Sequence, residues 1–140
     1  MYEYAVKKIV KVVDGDTVDV EIDLGFSLTK KERIRLAGID TPETRTRDEE
    51  EKKLGIDAKE YLAMRLESSK NLIVKTEKDG KYGRMLGWLF DDNRSINRDM
   101  TDLGYAWVYA GGSKSGNLDE LREKRSLPRS VTNWMQNGDN

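Results

Sequence analysis

The stretch VDVEIDL at residues 18–24 alternates apolar and acidic side chains without a break. Successive side chains of a β-strand point to opposite faces, so this alternation predicts a strand with one buried face and one wet face. A second run, Lys7–Val13, precedes it across Asp14-Gly15. The chain therefore opens with two predicted strands.

Three further strands are predicted downstream. Arg33–Ile39 predicts a third strand, which follows a predicted turn at Phe26–Lys31 and stops before a proline. Leu72–Thr76 and Arg84–Phe90 predict two more, joined around the hairpin signal Asp79-Gly80. The sequence thus predicts about five strands.

Helical spacing appears between the third and fourth predicted strands. The charged segment Thr44–Lys53 has no apolar face and is predicted to be a solvated loop. A short helix is predicted from about Asn97 to Leu103, before Gly104, and another from Asn117. A longer helix that covers the sheet is predicted from one apolar stripe: Leu54, Ala58, Tyr61, Leu62 and Leu66. We expect a mainly β protein with about three helices.

Composition limits the chemistry of the chain. It has 140 residues, which predicts a single domain over residues 1–135 and a frayed tail over 136–140. The absence of His and Cys excludes zinc fingers, disulfide frameworks, thiol nucleophiles and Ser-His-Asp triads. With 25 basic and 26 acidic residues, the net charge of −1 does not favour a broadly basic nucleic-acid binder. It leaves room for a small, focused phosphate site.

The start of the chain and its hydropathy bear on location. No stretch approaches the roughly 20 apolar residues of a membrane span, and the N-terminus lacks the basic and apolar regions of a signal peptide. The sequence as numbered therefore predicts a cytoplasmic protein without a membrane partner, secreted only if a leader has been removed. A monomer is expected.

Two carboxylate motifs are candidates for chemistry. Asp16 shares the parity of the apolar strand residues and should point toward the apolar side, while Asp40 and Glu43 flank Pro42 on a stiff turn. Two bare carboxylates ~4 Å apart would repel by roughly 4 kcal/mol at an effective dielectric constant of about 20, which a cation would relieve. Hard oxygen ligands favour Ca²⁺, Mg²⁺ or Mn²⁺. The alternative is that each motif is an ordinary turn.

Two arginines could complete such a site. Arg35 lies just before the second carboxylate motif, and Arg84 begins the fifth predicted strand. Guanidinium groups donate bidentate hydrogen bonds to phosphate and keep their charge, so the pair could clamp a phosphate beside a metal. Alternatively, each arginine pairs with a surface carboxylate, an interaction of about 0–1 kcal/mol.

Together these motifs resemble the staphylococcal nuclease (thermonuclease) family over about residues 7–110. The resemblance is carried by residues 13–17 (VDGDT), 34–43 (IRLAGIDTPE) and 81–84 (KYGR), followed by the Asn97–Ala106 helix, all in the family's order. It implies an OB-fold, a five-stranded barrel capped by helices that often binds nucleic acids. It also implies a metal-dependent nuclease that hydrolyses DNA or RNA phosphodiesters to a 5′-hydroxyl and a 3′-phosphate.

The resemblance assigns roles to the matching positions. Asp16 and Asp40 match direct Ca²⁺ ligands, and Thr41 would contribute its backbone carbonyl. Glu43 matches the carboxylate that positions or deprotonates the attacking water, a role typically worth ~10²–10⁴-fold in rate. Arg35 matches one of the arginines that grip the phosphodiester.

The remaining matches concern the phosphate and the base. Arg84 matches the second phosphate-gripping arginine, and Tyr82 matches a tyrosine that contacts a nucleotide phosphate. The two base-holding tyrosines of the staphylococcal enzyme are replaced by Ala110 and Gly112.

Two aromatic residues are candidates to take over the base contact. Trp107 or Tyr109 could replace those tyrosines by stacking, although each is equally suited to the core. The alternative function is a catalytically silent OB-fold module that binds nucleic acid. Such degenerate modules typically lack the metal carboxylates or the clamp arginines, and this chain retains both sets.

Overall fold

The computed structural model of the protein describes residues 2–77, 85–109 and 117–126. Within these ranges the chain forms strands β1 (Tyr2–Asp14), β2 (Thr17–Gly25), β3 (Leu28–Leu36) and β4 (Ile39–Asp40), helix α1 (Glu49–Glu67), strands β5 (Leu72–Thr76), β6 (Met85–Asp91) and β7 (Arg94–Ser95), helix α2 (Ile96–Asp102), strand β8 (Trp107–Val108) and helix α3 (Leu118–Ser126).

The main sheet closes on itself. Its strands are ordered β3-β2-β1-β5-β6-β7, and β3 also pairs with β6 in parallel over Ile34–Leu36. The long β1 makes closure possible because it pairs with β5 near its start and with β2 from Ala5 onward. The result is a closed barrel of five strands with helices packed on it, which confirms the predicted OB-fold.

The core lies inside this barrel. Val18, Val20 and Ile22 of β2 are at most 2% exposed, whereas the acidic residues between them are only partly covered. The alternation of apolar and acidic residues therefore marks the two faces of β2, as predicted. Leu54, Ala58, Leu62 and Leu66 of α1 are also buried, so the predicted helical stripe covers the barrel.

The predicted turn at Phe26–Lys31 is wrong for most of its length. Only Gly25, Phe26 and Ser27 have the positive φ of the tight connection, and β3 begins at Leu28. Residues 23–31 of this hairpin are exposed on both faces. A strand with two wet faces needs no apolar alternation, so its sequence does not show the strand pattern.

The predicted loop at Thr44–Lys53 is wrong in its second half, because α1 begins at Glu49. The carboxylate of Asp48 accepts hydrogen bonds from the amides of Glu50 and Glu51, at 3.0 and 3.2 Å. An N-cap and acidic residues in the first turn stabilise a helix that has no apolar face there.

The third predicted strand is interrupted. β3 ends at Leu36, and Gly38 adopts a φ of +76° before β4 begins. β4 then leaves the barrel and pairs with β8, so that Asp40 lies opposite Trp107. This break separates Asp40 from the strand that carries Arg35.

The two shorter predicted helices are confirmed as α2 and α3. Gly104, with a φ of +82°, follows α2, and the Asn117 side chain accepts from the amide of Asp119 at 3.1 Å before α3. The Asp79-Gly80 turn and the tail at 136–140 lie outside the described residues. Among the described residues, the helices are too short or too polar to cross a membrane.

Candidate active site

Two buried aspartates share one arginine at the end of the barrel. The Nη2 atom of Arg35 lies 3.4 Å from Oδ2 of Asp16 and 3.6 Å from Oδ1 of Asp40. The three side chains are only 10–16% exposed. With two carboxylates and one guanidinium, this triad carries a formal charge of −1. It is the charge centre of the candidate site.

Backbone pairing places Asp16 beside Arg35. Thr17 pairs with Arg35 across β2 and β3, and the amide of Leu36 donates to the carbonyl of Asp16 at 2.8 Å. The Thr17 hydroxyl donates to Oδ1 of Asp16 at 3.0 Å, and Nη1 of Arg35 donates to the Leu36 carbonyl at 2.9 Å. Each side chain is thus oriented by the residue that follows it in sequence. Asp16 is buried, as expected, and Arg35 is its ionic partner.

Asp40 reaches the triad from β4. The amide of Thr41 donates to Oδ1 of Asp40 at 3.0 Å, and both residues are buried. A hydrogen bond to the charged form of a carboxylate stabilises that form. The turn that follows is therefore fixed at its first residue.

Two glycines let this turn approach the rest of the protein. A Cβ atom at Gly15 would lie 2.8 Å from Cβ of Ala58 and 3.0 Å from Cγ2 of Thr41. A Cβ atom at Gly55 would lie 2.7 Å from the Pro42 carbonyl oxygen. A larger residue at Gly55 would push the turn away from α1, and one at Gly15 would push the β1–β2 connection away from α1 and from Thr41.

Glu43 lies at the exposed end of the turn. Its amide donates to Oε2 of Glu51 in α1 at 3.1 Å. The next residue is also fixed, because the hydroxyl of Thr44 donates to Oδ1 of Asp14 at 3.1 Å. An exposed carboxylate on a fixed backbone can meet a ligand that approaches from solvent.

The other predicted site residues do not join the triad in the described part of the structure. Arg84 and Tyr82 lie outside the described residues, as do Ala110 and Gly112. Trp107 is 2% exposed and its indole N–H donates to the carbonyl of Asn117 at 3.0 Å. Of the two aromatic candidates, only Tyr109 presents substantial surface, at 36% exposure.

Sequence reasoning missed the residues that hold the turn. Thr44 bonds to Asp14 across 30 positions of sequence, and Glu51 bonds to Glu43 across 8. The only available signal is Asp48 followed three residues later by Glu51, which indicates a helix start. It does not show that Glu51 contacts Glu43.

A second arginine-aspartate pair lies on the outer surface of β2 and β3. Arg33 donates from Nε and Nη2 to the two carboxylate oxygens of Asp19, at 2.8 and 3.0 Å. These hydrogen bonds hold the pKa of Asp19 below its ordinary value. This pair fits the alternative of a surface ion pair, whereas Arg35 is largely buried between two carboxylates.

The donor set at the triad suits a hard cation. Asp16 and Asp40 offer carboxylate oxygens that share one positive charge, and the backbone of Thr41 follows Asp40 directly. Within residues 2–77, 85–109 and 117–126, the side chains of His, Cys, Asp and Glu form no group of three or more suited to a metal. A metal here would therefore combine two carboxylates with carbonyl and water oxygens, which Ca²⁺ accepts.

Known proteins resemble this chain over most of its length. The family model of the staphylococcal nuclease homologue matches residues 33–130. An uncharacterised protein of Methanocaldococcus jannaschii is 31% identical over 97% of this chain and 75% of its own length. The thermonuclease of Staphylococcus intermedius is 30% identical over 94% of this chain and 75% of its own length.

A plant relative shares the same region within a longer protein. The staphylococcal-like nuclease of Arabidopsis thaliana is 31% identical over 79% of this chain but only 35% of its own length. The matched region of the family model contains Arg35, Asp40 and Glu43. The chain belongs to the staphylococcal nuclease homologue family, and this membership supports a nuclease function.

Proposed function

We propose that this protein is a metal-dependent nuclease that hydrolyses phosphodiester bonds of DNA, RNA or both. The observation that carries the proposal is the triad of Asp16, Arg35 and Asp40 beside the fixed turn that ends at Glu43. Nuclease relatives across most of the chain support the same reaction class.

Asp16, Asp40 and the Thr41 carbonyl would hold the metal, with Ca²⁺ as the first candidate and Mn²⁺ or Mg²⁺ as others. When bound, the metal would act as a Lewis acid toward a phosphoryl oxygen. The negative triad attracts a cation, and the burial of its carboxylates reduces screening by water.

The chain's own groups divide the remaining tasks. Arg35 would donate to a non-bridging phosphate oxygen and stabilise charge that grows during attack. Glu43 would accept a proton from the attacking water. On the strength of the sequence motif alone, we assign Arg84 as a second phosphate donor and Tyr82 as a residue that contacts a nucleotide phosphate.

Base contact is proposed for the surface near β8. Tyr109 is partly exposed, and its amide donates to the Gly38 carbonyl at 2.8 Å, which ties it to the connection before β4. A base stacked there would gain about 1–3 kcal/mol. Trp107 is already engaged in the core, so Tyr109 is the better candidate.

Replacing Glu43 by Gln tests the proposed reaction. Wild-type protein should cleave single-stranded DNA or RNA with added Ca²⁺ and stop when a chelator is added. Glu43→Gln should reduce kcat by roughly 10²-fold or more, because the amide cannot accept the proton. The measurement is cleavage of both polymers across Ca²⁺, Mn²⁺ and Mg²⁺.

The matched control is Glu49→Gln, which removes the same charge from the first turn of α1. It should keep wild-type turnover. Undiminished cleavage by Glu43→Gln would refute the role of Glu43, whereas binding of nucleic acid without turnover under every metal would favour the silent binding module.

A further inference from the structure

The first turn of α1 departs from the usual capping arrangement. Asp48 is the N-cap and Glu51 is the third helical residue, the spacing at which a glutamate normally accepts from the N-cap amide. Here the Asp48 amide donates to Oγ1 of Thr46 at 3.2 Å, and Oε2 of Glu51 accepts from the Glu43 amide instead. The Glu51 carboxylate is thus directed to the turn.

The backbone of Glu43 is held by α1 at two points. Gly55 lies one helical turn after Glu51, and a Cβ atom there would be 2.8 Å from the Glu43 carbonyl oxygen. α1 therefore holds the amide of Glu43 by a hydrogen bond and its carbonyl by close packing. A bond to a charged acceptor is roughly twice as strong as one between neutral groups.

The strands on the other side of the turn provide an independent anchor. Thr44 donates to Asp14, which ends β1 two residues before Asp16. Glu43 is thus set between α1 and the β1–β2 connection, while its side chain stays exposed. The backbone around Glu43 is therefore restrained from two sides.

We propose that Glu51 is a positioning residue, whose carboxylate anchors the Glu43 amide and so sets where the Glu43 carboxylate stands relative to Asp16, Arg35 and Asp40. This inference rests on the proposed nuclease function and names a further residue for it. Glu51 acts through the backbone of Glu43 and does not touch substrate.

A purely helical role for Glu51 is the competing explanation. Glu49, Glu50 and Glu51 all lie in the first turn, where negative charge stabilises a helix. Glu50 also pairs with Arg122 of α3, so it is a poor control. Glu49 shares the turn and the charge, which makes Glu49→Ala the matched variant.

Steady-state kinetics of three variants separate these explanations. Glu51→Ala should lower kcat on single-stranded DNA by roughly 10- to 100-fold with KM changed less than about threefold, because the proton acceptor Glu43 is misplaced while substrate binding is kept. Glu51→Gln keeps an acceptor oxygen and should return most of the lost kcat. Glu49→Ala should match the wild type.

A second readout does not depend on turnover. Hydrogen exchange of the Glu43 amide should become faster in Glu51→Ala and stay slow in Glu51→Gln and Glu49→Ala. Equal exchange rates of the Glu43 amide in all three variants would refute the proposed role of Glu51. Equal kcat values in Glu51→Ala and Glu49→Ala would refute it as well. An inactive wild type with a protected Glu43 amide would instead defeat the proposed nuclease function.

Discussion

Single residues away from the site give the protein a measurable response to alkaline pH. Burial, together with nearby Asp99, raises the pKa of Tyr61 to about 12, and its ring stacks on Tyr105 with centroids 4.4 Å apart. The native state therefore keeps Tyr61 neutral where an unfolded tyrosine, with a pKa near about 10, has begun to ionise. The stabilising contribution is complete below about pH 10 and is lost as the pH rises through about 12. Tyr61→Phe should flatten the fall in the free energy of unfolding over this window, measured by urea denaturation, whereas exposed Tyr2→Phe should not. An equally steep fall in Tyr61→Phe would contradict the assignment.

One buried amide side chain links helix α2 to the barrel, in addition to the packing of Ile96 and Met100 in the core. The side chain of Asn97 accepts from the Leu89 amide at 3.0 Å and donates to the carbonyls of Ala37 and Gly87, at 2.9 and 3.1 Å. It thereby joins α2, β6 and the connection between β3 and β4. Asn97→Ala should destabilise the protein by about 2–4 kcal/mol, because several buried backbone groups lose their partner together. Exposed Asn71→Ala should change the free energy of unfolding by less than about 0.5 kcal/mol in the same denaturation assay. A small effect at Asn97 would show that other contacts attach α2.

The elements also show what sequence can predict. Strand β2 can be predicted from its alternating sequence because one of its faces is buried. The start of β3 cannot be predicted in this way, because residues 23–31 have no buried face. Likewise, helix α1 can be predicted from Leu54 onward, where its apolar residues pack on the core. Its first turn has no such residues and is stabilised by the Asp48 N-cap and by the acidic side chains of that turn. Asp16, Arg35 and Asp40 could be grouped because they fall in short, specific motifs. The contact between Glu51 and Glu43 is a side chain meeting a backbone amide, and no residue pattern encodes it.

For the whole molecule, a bound cation should act as a folding ligand. Both proposed carboxylate ligands are buried in the native state and come together only there, so the native state should bind Ca²⁺ and the unfolded chain should not. Calcium at 100 times its Kd would then stabilise the fold by about 2.7 kcal/mol, seen as a rise in Tm that a chelator reverses. Asp40→Asn keeps an acceptor for the Thr41 amide but loses the charge, and its Tm should respond far less to calcium. Identical calcium responses in the wild type and in Asp40→Asn would place any cation elsewhere.

The pairing of β4 with β8 also dictates when the triad can exist during synthesis of the chain. Asp16 and Arg35 come from a local hairpin and can meet as soon as β2 and β3 pair. Asp40 lies opposite Trp107, which the ribosome adds 67 residues later, and such distant contacts form after local ones. A nascent chain that ends before β8 lacks the strand that seats the second carboxylate. We therefore expect the complete triad to form only after all five barrel strands and α2 have been made.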